Sequence, residues 1–288
     1  MSEEIGEEVA VLSEKLQMCS TSNSDALEKI KNTRSVFEGK NNLEIRSKMQ
    51  TNNVKPVNVL ERIIFIIDAT IEPNATQFEL GRGDKFPPLF MIKRVVEIFI
   101  NAKSMINPNH EYALMILCGN DVRWIKKFTN NTTDFLAYVD DIEDAYNNCN
   151  VFELGKLFSE IEEVVVKKEP SFVTRALMIY CRSHAIPKFS SRINFENLMK
   201  RQRFFLDILY IHEHPSEDNE CDRIYSALNA LDVKSCAYIF EVGRNATRLH
   251  DHMVKLVAHP LQRPLQKDAH YSLQAHLASL QKEVHTNV

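Results

Sequence analysis

Residues 63 to 67 read Ile-Ile-Phe-Ile-Ile, five consecutive β-branched or aromatic side chains with no polar alternation. A strand with one wet face alternates apolar and polar residues, whereas an unbroken run is buried on both faces, between parallel neighbours and under helices. The same grammar returns in Tyr112-Ala113-Leu114-Met115-Ile116-Leu117-Cys118, in Val173 to Tyr180, in Phe204 to Ile211 and in Ala237 to Val242. Between these runs the apolar residues fall at helical spacing. Pro87 and Pro88 open a segment with Leu89, Ile92, Val96, Phe99 and Ile100, and Thr133 or Asp134 can cap a helix carrying Phe135, Val139, Ile142 and Tyr146. Further helices carry Leu154, Leu157, Phe158 and Ile161, then Phe195 to Met199, then Tyr225, Leu228 and Leu231, and last Leu249, Met253, Leu256 and Val257, ending at Pro260. Right-handed crossovers then predict an α/β fold: an open, doubly wound, mostly parallel sheet with helices on both faces.

Residues 1–56 stand outside this pattern. Phe37 is their only aromatic and polar residues dominate, so the segment cannot bury enough apolar surface to offset its ordering entropy. A disordered tail is expected there, a folded domain over 57–259, and a separate tail over 260–288. Seven glycines in 288 residues, with no G-x-G-x-x-G or G-x-x-x-x-G-K-[ST], argue against a phosphate-cradling loop. Thirty-five basic against 39 acidic residues provide no positive field for nucleic acid. The acidic start Met1-Ser2-Glu3-Glu4 does not read as a signal peptide, and no apolar run approaches a membrane span. The six scattered cysteines, without a C-x-x-C pair, read as free thiols of a reducing compartment.

In such a sheet ligands sit beyond the carboxyl ends of the strands. The first strand ends in Asp68-Ala69-Thr70-Ile71-Glu72, where a carboxylate, a hydroxyl and a further oxygen can be aimed at a hard cation. The order of elements and this motif resemble the von Willebrand factor A domain, whose metal-ion-dependent adhesion site uses Asp-x-Ser-x-Ser, a middle-loop Thr, and an Asp after the fourth strand. Asp68 and Thr70 match and Glu72 does not. Cys149-Asn150-Val151-Phe152 lacks the threonine, and Cys181-Arg182 stands where the last carboxylate belongs. The mismatch therefore predicts a degenerate site with no metal or other cofactor, and one hypothesis is that Arg182 lies near Asp68 and replaces the cation by an ion pair. An A-domain module that still uses Mg²⁺ at Asp68 is the alternative.

His212-Glu213-His214-Pro215 has the start of a JAMM metalloprotease motif, but Asp222 and Tyr225 occupy the positions that motif gives to Ser and Asp. A zinc hydrolase using His212 and His214 is the less favoured reading, and no other catalytic set is present. Lys200-Arg201-Gln202-Arg203 and the pairs Lys126-Lys127 and Lys167-Lys168 read as solvated helix ends or partner contacts, and Arg82-Gly83-Asp84 as chance.

After the last helix the chain runs Ala258-His259-Pro260-Leu261-Gln262-Arg263-Pro264-Leu265-Gln266, with prolines four apart that favour an extended, groove-binding conformation. Together with Met253 to Ala258 and Tyr271-Ser272-Leu273, this stretch closely resembles the C-terminal signature of the BRISC and BRCA-A complex member family. These are the von Willebrand A-like subunits of lysine-63-specific deubiquitinase assemblies. The resemblance implies a non-catalytic scaffold, cytoplasmic and nuclear. Its direct partner would be BRE, the ubiquitin-E2-variant subunit, with an Abraxas-type scaffold and a JAMM deubiquitinase subunit reached indirectly. Pro260, Leu261, Gln262, Arg263, Pro264 and Tyr271 would be BRE contacts, and truncation after His259 is expected to weaken that association while leaving the domain folded.

Overall fold

The computed structural model describes residues 59–73, 75–80, 83–146, 149–165 and 171–269. The segment 1–56 and Tyr271 lie outside the described residues. Six strands form the main sheet: β1 (Glu61–Asp68), β2 (Glu111–Cys118), β3 (Asp121–Thr129), β4 (Val173–Tyr180), β5 (Phe204–Ile211) and β6 (Ile239–Val242). Their order across the sheet is β6-β5-β4-β1-β2-β3, parallel throughout except for β3, which runs antiparallel to β2. The described helices are α1 (Pro88–Ile106), α2 (Thr132–Asp140), α3 (Leu154–Val164), α4 (Ile193–Met199), α5 (Cys221–Asn229) and α6 (Ala246–Leu256). None of them is long and apolar enough to cross a membrane.

The continuous apolar run is explained by the layers. Ile63 to Ile67 are all fully buried. Ile64 and Ile66 join Leu157, Phe158 and Ile161 of α3, Phe195 and Leu198 of α4, and Ile224 and Leu228 of α5 on one face. Phe65 points the other way, its ring edge-on to Phe99 of α1 at 5.3 Å and tilted against Phe135 of α2 at 5.8 Å. Strand order reverses between β1 and β4, so the crevice beyond their carboxyl ends is the topological switch point.

Three local expectations are corrected. Gly119 (φ 61°) and Asn120 form a two-residue hairpin turn into β3, an edge strand that was not foreseen because Arg123, Lys126 and Lys127 break its apolar pattern. Asn131, rather than Thr133 or Asp134, caps α2, accepting from the Asp134 amide at 3.0 Å. That helix stops at Asp140, and Tyr146 pairs instead with Ile71 in a short parallel ladder. Asp140, Asp141, Glu143 and Asp144 place negative charge where the helix dipole is already negative, which disfavours continuation.

Candidate functional site

Asp68 ends β1 at the switch point, and Cys181 and Arg182 follow β4 directly beside it. The Arg182 guanidinium grips the Asp68 carboxylate. Its Nε lies 3.1 and 2.9 Å from the two oxygens, and one terminal nitrogen lies 3.0 Å from Oδ1. The backbone amides of Thr70 and Cys181 each donate to Asp68 at 3.2 Å. The Thr70 hydroxyl accepts from the Gly119 amide at 2.9 Å and faces the Leu117 carbonyl. Glu72 has turned away to the loop after β4, where it accepts from the Ser183 and His184 amides at 2.6 and 2.8 Å.

These residues do not fit a hard divalent cation. Every Asp68 oxygen already accepts from fixed donors, and an incoming ion would meet a buried guanidinium 1% exposed. Burial opposes the charge on Arg182, but Asp68 outweighs it and holds the guanidinium above its ordinary pKa. The neighbouring Cys181 thiol is pushed up to about 11 by burial, which removes it as a nucleophile near neutral pH.

The histidine motif follows β5. His212 Nδ1 lies 2.6 Å from the Glu213 carbonyl, its ring rests against Tyr210, and His214 Nδ1 faces the Pro215 carbonyl at 2.9 Å. Glu213, between them, accepts from the Thr76 amide at 2.8 Å and from Arg244 at 2.6 Å. Burial would raise this carboxyl, and the Thr76 hydroxyl and Arg244 bring it below its ordinary value. The motif thus ties three loops together. Among the described residues no three His, Cys, Asp or Glu side chains are grouped to hold a metal.

A second concentration of charge, which the sequence reading passed over, lies toward the amino ends of the strands. Glu61 opens β1, Lys103 lies in the last turn of α1, Arg175 is in β4 and Asp207 in β5. Lys103 hydrogen-bonds Glu61, and Arg175 Nε donates to Asp207 at 2.6 Å. A fifth member comes from beyond the last helix: Arg263 donates to Asp207 Oδ2 at 2.8 Å and also bonds the other carboxylate oxygen, while the Tyr238 amide donates at 2.7 Å. None of the five side chains is more than 2% exposed. Burial would raise Asp207, but Arg175 and then Arg263 hold it below the usual carboxylate range. The available signal was Arg175 and Asp207 interrupting otherwise apolar strands, since a charge on a doubly buried strand must be paired.

Arg263 brings the C-terminal segment with it. Its guanidinium also donates to the Cys236 carbonyl at 3.0 Å and stacks 3.9 Å above the Tyr238 ring, whose hydroxyl donates to the Pro264 carbonyl at 2.9 Å. Gln266 then imitates a strand: its side-chain oxygen accepts from the Ile239 amide at 2.6 Å and its nitrogen donates to the Ile239 carbonyl at 2.9 Å. Residues 260–268 therefore form a strap along the edge strand β6. Of the expected partner contacts, Pro260 and the Arg263 side chain are buried in the domain, and Leu261, Gln262 and Pro264 are exposed.

No family model matches the chain. BRISC and BRCA1-A complex member 1 from Homo sapiens is 32% identical over 230 residues, covering 75% of this chain and 69% of the human protein. The protein of that name from Mus musculus is 33% identical over 230 residues, 75% and 68% of the two chains, and that from Xenopus laevis 32% over 228 residues, 75% and 69%. Among solved structures, the chain is similar to the VWA domain of SpRpn10, with 17% identity, 74% of this chain and 100% of that one covered, and a TM-score of 0.45. Proximal thread matrix protein 1 from the mussel byssus gives 11% identity, 69% and 47% coverage, and a TM-score of 0.47. On identity sustained over most of both chains, this protein belongs to the BRISC and BRCA1-A complex member 1 family.

Proposed function

We propose that the chain is a non-catalytic scaffold subunit of a lysine-63-directed deubiquitinase assembly of the BRISC or BRCA1-A type, acting in cytoplasm and nucleus. The observation that carries this reading is Arg182 on Asp68: at the switch point, where an α/β sheet ordinarily binds its ligand, the protein has spent its polar groups on one another. Among the described residues neither His212 nor His214 is set in a ligand cluster, and burial holds Cys181 as a neutral thiol. What remains is a sheet-based platform and an extended C-terminal segment. The names of the relatives, as complex members, support the assignment. In this reading the domain and its C-terminal segment hold a BRE-type subunit, and cleavage of ubiquitin chains is left to a separate JAMM subunit beside an Abraxas-type scaffold. DNA repair or cytoplasmic ubiquitin signalling would be the setting.

Co-expression of the full chain with a BRE-type subunit tests this. The expected result is a stoichiometric complex that contains no zinc from this chain and cleaves lysine-63-linked di-ubiquitin only when the JAMM subunit is added. Failure to co-purify, or cleavage by the chain alone, overturns it.

A further inference from the structure

The C-terminal segment divides by exposure into anchors and displayed residues. Pro260 is buried, the Arg263 side chain is 2% exposed and Gln266 is bonded to the sheet edge, whereas Leu261 and Leu265 are 40% and 45% exposed. A flexible segment carrying two leucines would lose backbone and rotamer entropy on docking, and a segment already fixed does not. Here the fixing is done by a bidentate Arg263–Asp207 pair, the Tyr238–Pro264 bond and the two Gln266–Ile239 bonds, with the prolines restricting φ between them. The Arg263 guanidinium, the Gln266 amide and the Tyr238 hydroxyl are turned to the domain, and the Pro264 ring, although exposed, is tied to it through its carbonyl.

Resting on the reading that this segment docks a partner subunit, we propose that Arg263 and Gln266 are positioning residues, which touch the domain and not the partner, and that the docking groups are Leu261 and Leu265. The partner chemistry they fit is an apolar groove that accepts two leucines four residues apart. Asp207 belongs to the same device, although it is buried in the middle of β5 and out of a partner's reach.

The test measures, on the full chain, affinity for a BRE-type subunit and amide hydrogen exchange across 260–269. Arg263→Met and Gln266→Ala are expected to speed exchange in that segment and to weaken binding about tenfold, the scale of one or two lost hydrogen bonds. Asp207→Asn is expected to do the same, and Asp207→Asn with Arg263→Met no more than either alone. Leu261→Ser with Leu265→Ser is expected to weaken binding without altering exchange. If Arg263→Met abolishes binding while Gln266→Ala and Asp207→Asn speed exchange yet bind normally, Arg263 is itself a contact and the proposal is overturned. If Arg263→Met binds as wild type, it is overturned as well. Gln266→Ala removes only an edge contact, so it keeps the test decisive should Asp207→Asn fail to fold. Normal binding by the double leucine variant, with exchange still responding to Arg263→Met, would instead sink the docking reading while leaving the strap in place.

Discussion

Arg182 replaces a counter-ion that would come and go with one that is covalently part of the chain, and the substitution has a direction. Removing it strands Asp68 as a buried carboxylate beside two amides. Arg182→Met, which keeps an unbranched apolar stem but removes the guanidinium that lies over the Phe152 and Tyr180 rings, should cost about 3–5 kcal/mol, the range for breaking a buried pair. Urea unfolding measures the loss, and millimolar Mg²⁺ should leave the wild-type midpoint unmoved, because an ion stabilises a fold only by binding it. The histidines at the other end of the sheet carry a pH effect. His110 Nδ1 accepts from the Glu61 amide at 3.0 Å, and burial, followed by Lys103, pushes its pKa from 6.5 to about 4. Between these values the unfolded chain binds a proton that the fold does not, so stability falls as pH drops through the window. His259, also lowered by burial, adds with the same sign. His110→Asn, whose Oδ1 can take the same amide, should reduce the wild-type loss between pH 6.5 and 4 by about 3 kcal/mol, read from unfolding midpoints across pH.

At the scale of elements, β6 is a four-residue edge strand whose outward groups at Ile239 are occupied by the Gln266 side chain. The opposite edge, β3, is protected differently, by Arg123, Lys126 and Lys127 and by register shifts in its pairing with β2. Truncation after His259 strips the first protection and takes Arg263 from Asp207, so the geometry changes the expectation that the shortened domain stays folded unharmed. Such a chain should lose at least about 3 kcal/mol and self-associate through the exposed β6 edge, the first seen in thermal unfolding and the second in sedimentation. The elements legible in the sequence were those whose residues all serve one purpose. Ile63 to Ile67 and Phe204 to Ile211 are buried on both faces and read as such. Those that were missed serve two purposes at once: β3 mixes a core face carrying Trp124 and Phe128 with a charged edge, which matches neither template. The strap read as a partner-binding tail outside the domain for the same reason. Pro260 to Gln266 have no periodicity of their own, and the residues that hold them, Asp207, Tyr238 and Ile239, lie between 20 and 60 positions away in sequence. Arg182 was placed correctly because it sits where the resemblance expected a carboxylate, whereas Arg175 and Asp207 had no such template to depart from.

In the whole molecule, two buried charge systems sit toward opposite ends of one rigid sheet. Asp207 is level with Leu177 on β4, Leu177 is level with Phe65 on β1, and Asp68 lies three residues further along that strand. Three residues of rise and two strand spacings separate the two Cα positions by roughly 14 Å. Groups that far apart with no shared partner contribute independently to stability. Arg182→Met and Arg263→Met combined should therefore destabilise by the sum of their separate effects, to within about 0.5 kcal/mol. Association with a BRE-type subunit should separate them: the Arg263 change weakens it through the strap, and the Arg182 change leaves it alone below the unfolding transition. Urea titrations of the four chains, paired with affinities measured on the same samples, check both halves. Strong non-additivity would mean that the two ends of the sheet communicate, and equal losses of affinity would mean that the closed switch point is itself part of the platform the partner reads.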